Sequence, residues 1–194
     1  MLWVAVALAW LLIGDSTARL YLAHAFLVQI YISDHLVNGL TQMWSLATEV
    51  AFYLALPAIA ALLCRGTADG RWIRRAAVVL AVPLILGPLW MYSVTAMGYS
   101  LPRLWLPGFL GWFSAGMLLA LWNAAAERRL ITTPTLFELT KHPGSLWALA
   151  FAFYALATTP LASPLDLSEP TAGAAALKNV LYCAIAVLVV LPTI

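Results

Sequence analysis

The residues best suited to chemistry lie in one apolar stretch, in which Glu49 is the acidic residue clearly placed within a predicted membrane helix. Ser45 precedes Glu49 by four residues and Tyr53 follows it by four, so the three share one helix face. Counted from Trp44, Glu49 lies about 7.5 Å below the outer end of that helix. Such a carboxylate could orient a histidine, accept a proton or hydrogen-bond a substrate hydroxyl; a structural salt bridge between helices is the alternative.

Two further polar residues are candidates for binding. His24 lies in the apolar stretch Leu20–Ile32, where it either hydrogen-bonds a neighbouring helix or contacts a substrate. Arg103 is the one basic residue in the predicted outer loops. It either accompanies a proline-flanked helix start or binds an anionic or sugar-like group.

The composition indicates which elements hold these residues. The 194 residues are 64% hydrophobic and 9% charged, with a formal net charge of +2, whereas a soluble domain is about 25% charged. This excludes a disordered chain, a nucleic-acid-binding protein and a disulfide-stapled secreted domain. Cys64 and Cys183 are isolated, with neither metal-ligand spacing nor a disulfide framework, so we expect no metal site. We also expect no bound cofactor. A polytopic protein of the lipid bilayer is what remains.

The apolar runs predict an all-α, polytopic transmembrane helical bundle with about six to seven apolar helices. Continuous runs rich in Leu and Ala argue against alternating strands. The runs are Leu2–Ile13, Leu20–Ile32, Trp44–Cys64, Ala76–Val94, Gly108–Trp122, Leu146–Thr159 and Lys178–Ile194. Within one of them, Gly111 with Ala115 and Gly116 with Ala120 predict close helix packing.

Charge in the loops predicts the orientation. Basic residues concentrate in loops 65–75 and 123–145, which we place in the cytoplasm because short basic loops stay on that side. The loops between them then face outside. We expect residues 1–194 to form a single membrane domain. We expect this domain to be a fragment of a larger one, whose N-terminal and C-terminal helices the fragment lacks.

The stretch around Glu49 resembles the signature of the acyltransferase 3 family, roughly W-S-L-x-x-E-x-x-F-Y-x-x-x-P. A second stretch, from Leu101-Pro102-Arg103 through Phe109 to Gly116, resembles a later segment of the family with looser spacing. The matched signature positions are Trp44, Ser45, Leu46, Glu49, Phe52, Tyr53 and Pro57.

The resemblance implies an integral-membrane enzyme of the bacterial inner membrane. Such an enzyme transfers an acyl group, often acetyl, from acyl-CoA to a hydroxyl of a carbohydrate or glycan. The partners are then the bilayer, acyl-CoA and the glycan, without nucleic acid. A non-enzymatic carrier or permease fragment, with Glu49 as its proton or substrate site, is the alternative function.

The resemblance also implies roles for individual residues. Glu49 is expected to be catalytic, through orientation of a histidine or of the acceptor. The residues expected to bind substrate are Trp44, Ser45, Tyr53, Arg103 and His24. The family's catalytic histidine follows a basic residue by eleven positions, but Arg19 is followed at that distance by Ile30. We therefore expect that histidine upstream of Met1, and this fragment to be inactive alone.

Overall fold

The structure, a computed structural model, describes residues 2–13, 17–33, 35–63, 70–131, 138–162, 164 and 168–193. These residues form helices, turns and loops, and no strand occurs among them. The all-α prediction is therefore confirmed. Cys64 and the loop residues 65–69 and 132–137 lie outside the described residues.

Eight α-helices and two 3₁₀ turns are bounded within the described residues. The α-helices are α1 (Leu2–Ile13), α2 (Ala18–Ala25), α3 (Gln29–Ile32), α4 (Met43–Leu63), α5 (Gly70–Ala96), α6 (Leu106–Glu127), α7 (Pro143–Ala157) and α8 (Ala172–Val190). Two 3₁₀ turns precede α6 and follow α8. They are Leu101–Leu104, called the outer turn after the predicted outer loop in which it lies, and the terminal turn Leu191–Thr193.

Among the described residues, four helices are long and apolar enough to cross a membrane, so the expected count of six to seven apolar helices is not confirmed. The four are Met43–Leu63, Arg71–Ala96, Leu101–Glu127 and Ala172–Thr193. The apolar helices Leu2–Leu12 and Pro143–Ala157 are shorter. The last span starts six residues before the predicted Lys178, because the Thr171 hydroxyl accepts a hydrogen bond from Ala174 N at 3.2 Å and caps α8.

The predicted apolar stretch Leu20–Ile32 is not one helix. It breaks at Leu27, whose φ is 59°. Leu27 N donates to His24 O at 3.1 Å and Val28 N donates to Ala23 O at 2.9 Å, which is the Schellman pattern that ends a helix. Glycine usually occupies the left-handed position of that pattern. Because the residue here is a leucine, its type does not predict a left-handed conformation, and the break could not be predicted from the sequence.

Small residues bring α5 and α6 together. A Cβ added to Gly111 would lie 2.8 Å from Pro83 O, and one added to Gly87 would lie 3.1 Å from Gly108 O. The close packing predicted for Gly111 is therefore present. For Gly116, no atom of the described residues lies within 4 Å of such a Cβ, so it makes no comparable approach to them. Helix α8 packs against α5, α6 and α7, while α4 lies against α6.

Candidate functional site

The outer turn is held in place by indole hydrogen bonds. Trp90 Nε1 on α5 donates to Pro102 O at 2.9 Å. Trp105 Nε1, directly after the turn, donates to Ile30 O on α3 at 2.7 Å. Because indole nitrogens need a partner when they are buried, these bonds fix the turn between α3 and α5. Because Arg103 lies within this turn, the same bonds fix the position of its backbone.

Helix α4 carries the signature residues and is tied to the same turn by Thr48. The buried Thr48 hydroxyl lies 2.6 Å from Leu104 O and 3.0 Å from Trp44 O. It has one proton to donate, and the bond to Leu104 joins α4 to the outer turn. Thr48 occupies a variable position of the signature, so the sequence analysis missed it.

Glu49 is half-buried, and its hydrogen-bond partner among the described residues is Tyr53. The Tyr53 hydroxyl donates to Glu49 Oε1 at 3.1 Å, one helical turn away. Among the described residues Glu49 forms no ion pair, so the interhelical salt bridge that was its alternative role is not observed there. The carboxylate is held by its own helix and is turned toward a cavity.

This Glu49 cavity has a volume of about 400 Å³ and lies between α4 and α6. It combines one carboxylate and two hydroxyl side chains with an aromatic wall. Its lining residues are Trp44, Ser45, Thr48, Glu49, Phe109, Trp112 and Phe113. Three of the predicted site residues, Trp44, Ser45 and Glu49, therefore meet at one place. Tyr53 supports Glu49 without lining the cavity.

Arg103 lines a second cavity, of about 470 Å³, which we call the Arg103 cavity. Its polar lining residues are Arg103, Ser168, Lys178, Asn179 and Tyr182. The apolar ones include Trp44, Phe109 and Trp112, which also line the Glu49 cavity. The two cavities therefore adjoin across a shared aromatic wall. In that wall the rings of Trp44 and Phe109 are 5.2 Å apart between centroids.

An ion pair accounts for the position of Arg103. Its guanidinium donates to the carboxylate of Glu169, in the segment before α8. The Arg103 side chain is 17% exposed and that of Glu169 is 73% exposed. Arg103 thus joins the outer turn to the start of α8 while it lines the cavity. A proline-flanked helix start alone does not describe this arrangement.

Asn179 is a functional candidate that the sequence analysis missed. Its side chain is buried in α8, where Nδ2 donates to Gly108 O at 2.9 Å, and its backbone carbonyl accepts from Trp112 Nε1 at 3.1 Å. These bonds join α8 to α6 at the floor of the Arg103 cavity. A polar amide inside an apolar stretch is the signal that could have identified it.

His24 lies apart from both cavities. Its side chain is 0% exposed on α2, and Nδ1 is 2.9 Å from Leu20 O. Within the described part of the chain, Nε2 has no hydrogen-bond partner, and neither does the side-chain amide of the equally buried Gln29. Burial lowers the pKa of His24, and the bond to Leu20 offsets part of that shift. A substrate-binding role for His24 is not supported by this placement.

The described residues contain no group of three His, Cys, Asp or Glu side chains able to hold a metal ion. Searches against protein-family models, curated proteins and solved structures found no match for this chain. The acyltransferase 3 resemblance therefore rests on the residues around Glu49 and Arg103, and it stays a prediction.

Proposed function

We propose that this chain is part of a membrane-bound acyltransferase that moves an acyl group from acyl-CoA to a carbohydrate hydroxyl. One observation carries the proposal. Glu49 and Arg103 come from the two segments that resemble the family, 54 residues apart in sequence, and they line adjoining cavities with a shared aromatic wall. Concave sites with a few convergent polar groups among aromatic side chains are typical of small-molecule binding.

In this reaction the acceptor hydroxyl oxygen attacks the thioester carbonyl carbon. A carbon–oxygen bond forms, the carbon–sulfur bond breaks, and the hydroxyl proton passes through a base to the departing thiolate. Glu49 would hold the acceptor hydroxyl or orient the histidine that serves as base. Because His24 lies apart from both cavities, we propose that this histidine belongs to a part of the protein outside residues 1–194.

The membrane setting follows from the same proposal. The basic loops 65–75 and 123–145 lie in the cytoplasm of a bacterial cell, and both cavities then open near the outer ends of α4, α6 and α8. A glycan acceptor on the outer side of the inner membrane would reach them directly.

The test is the Glu49→Gln variant, expressed together with the coding sequence that flanks this chain. We expect acyl transfer from acyl-CoA to a glycan to fall about 100-fold or more, since positioned carboxylates contribute at least that much. Glu127→Gln is the matched control, because Glu127 is exposed at the far end of α6 and bonds Asn123. Full activity of Glu49→Gln at normal expression would remove Glu49 from the mechanism.

The carrier alternative makes a different prediction for the same carboxylate. A carrier with Glu49 as its proton site would couple substrate movement to proton flux in liposomes that contain no acyl-CoA. Such flux, lost in Glu49→Gln and without acyl transfer in the wild type, would replace the proposed function.

A further inference from the structure

A third cavity, which we call the inner cavity, lies deeper in the bundle between α5, α6 and α8. Its volume is about 370 Å³. Its walls include Leu84 on α5, Ala115 and Leu119 on α6, and Cys183 and Ala184 on α8. The only side-chain amide or charged group in its lining is that of Asn179. Water or a sugar placed there would lose hydrogen bonds without replacement, whereas a hydrocarbon would lose none.

The inner cavity adjoins the Arg103 cavity. Trp112 and Asn179 line both it and the Arg103 cavity. From this junction the inner cavity follows α8 as far as Val187, eight residues on, which is about 12 Å along the helix. A chamber lined by both polar and aromatic side chains therefore adjoins an apolar one that extends along α8. This arrangement suits an amphiphile with one polar end and one hydrocarbon tail.

We infer that the acceptor is a lipid-linked carbohydrate whose hydrocarbon tail occupies the inner cavity. The sugar then lies in the Arg103 cavity, whose lining combines guanidinium, hydroxyl and amide groups with an aromatic wall. This places its hydroxyls beside the Glu49 cavity. The inference rests on the proposed function, but binding of the amphiphile can be measured without acyl transfer.

Cys183 provides the binding measurement, because it lines the inner cavity and the chain's other cysteine is Cys64. In a Cys64→Ser background in lipid nanodiscs, N-ethylmaleimide alkylates Cys183 alone. We expect octyl β-glucoside at about ten times its Kd to slow this alkylation about tenfold. Methyl β-glucoside lacks the tail and octanol lacks the sugar, so each should slow it far less.

Filling the inner cavity should abolish the protection. Ala184→Phe places a ring in the cavity, and Leu119→Phe enlarges the facing wall as a second variant. Ala186→Phe is the matched control, because Ala186 is exposed on the same helix and does not line the cavity. We expect protection by octyl β-glucoside to disappear in the filled variants and to persist in Ala186→Phe.

The outcomes separate this inference from the proposed function. Equal protection by octanol and octyl β-glucoside, or no protection by either, overturns the lipid-linked acceptor. Equal acyl transfer to methyl and octyl glucosides, unchanged by Ala184→Phe, overturns it while the acyltransferase stands. Sugar-dependent and tail-dependent protection supports the binding site. If the protein expressed with its flanking coding sequence then shows no acyl transfer, the enzymatic proposal is removed while the binding site stands.

Discussion

Single polar side chains decide the geometry of the candidate site. Thr48 joins α4 to the outer turn, Arg103 joins that turn to Glu169, and Asn179 joins α8 to α6. In an apolar bundle each of these groups would be costly without its partner, since the surroundings offer no substitute hydrogen bonds. Their partners are backbone carbonyls or a carboxylate from distant segments, so the bonds join helices as well as satisfying the groups.

The buried His24 predicts a pH dependence of stability. Its pKa is lowered from the ordinary value of 6.5 in the folded chain, chiefly by burial. The unfolded chain therefore takes up a proton first as the pH falls, and stability that is present above about pH 6.5 is lost below it. We expect the thermal unfolding midpoint in detergent to be lower at pH 5.5 than at pH 7.5.

The variant pair for this prediction is His24→Gln and His142→Gln. His142 is exposed before α7, so its replacement should leave the pH dependence intact. His24→Gln should flatten it, although the variant's stability at pH 7.5 will also change. An undiminished slope in His24→Gln would assign the effect to other groups.

Three helices end in the same backbone pattern, although the residue in its left-handed position differs. Helices α2, α5 and α6 each end in the Schellman pattern, with Leu27, Gly98 and Arg129 in the left-handed position. Only at Gly98 does the residue type suit its φ. Non-glycine residues cost about 1 kcal/mol or more in that conformation, and the surrounding structure must supply the difference.

Gly98→Ala tests this cost directly. The φ of Gly98 is +76° and no atom of the residues that the structure describes lies within 4 Å of an added Cβ, so the substitution meets backbone strain without a clash against them. We expect a loss of about 1 kcal/mol in the free energy of unfolding. Gly116→Ala, inside α6 with equally open space, should instead gain about 0.5–1 kcal/mol. Equal effects of the two would contradict the strain argument.

At the scale of the molecule, the crossing of α5 and α6 sets the walls of the cavities. The crossing is close because Gly111 leaves no room for a Cβ beside Pro83, and a Cβ added to Gly108 would lie 3.2 Å from Met91 Cε and 3.3 Å from Arg103 O. Residues of α5 and α6 contribute to the Arg103 cavity and to the inner cavity. A wider crossing would therefore change both cavities together.

Gly111→Ala should show this coupling. The added Cβ would lie 2.8 Å from Pro83 O, a backbone atom that cannot move away alone, so the helices must separate. We expect a loss of about 1–3 kcal/mol in the free energy of unfolding, together with weaker octyl β-glucoside protection of Cys183. Unfolding followed by tryptophan fluorescence measures the first effect, and Gly116→Ala is again the control. An unchanged stability would mean that the crossing tolerates the extra carbon.

The sequence by itself determined the all-α class, the apolar character of the four long helices and the face of α4 that carries Glu49, because composition and helical periodicity are local properties. It did not determine the break at Leu27, since a leucine gives no sign of a left-handed residue. The tertiary structure alone decided that Arg103 and Glu49 line adjoining cavities and that His24 does not. Those placements depend on contacts between distant segments, such as Trp105 with Ile30, which no spacing along the chain encodes.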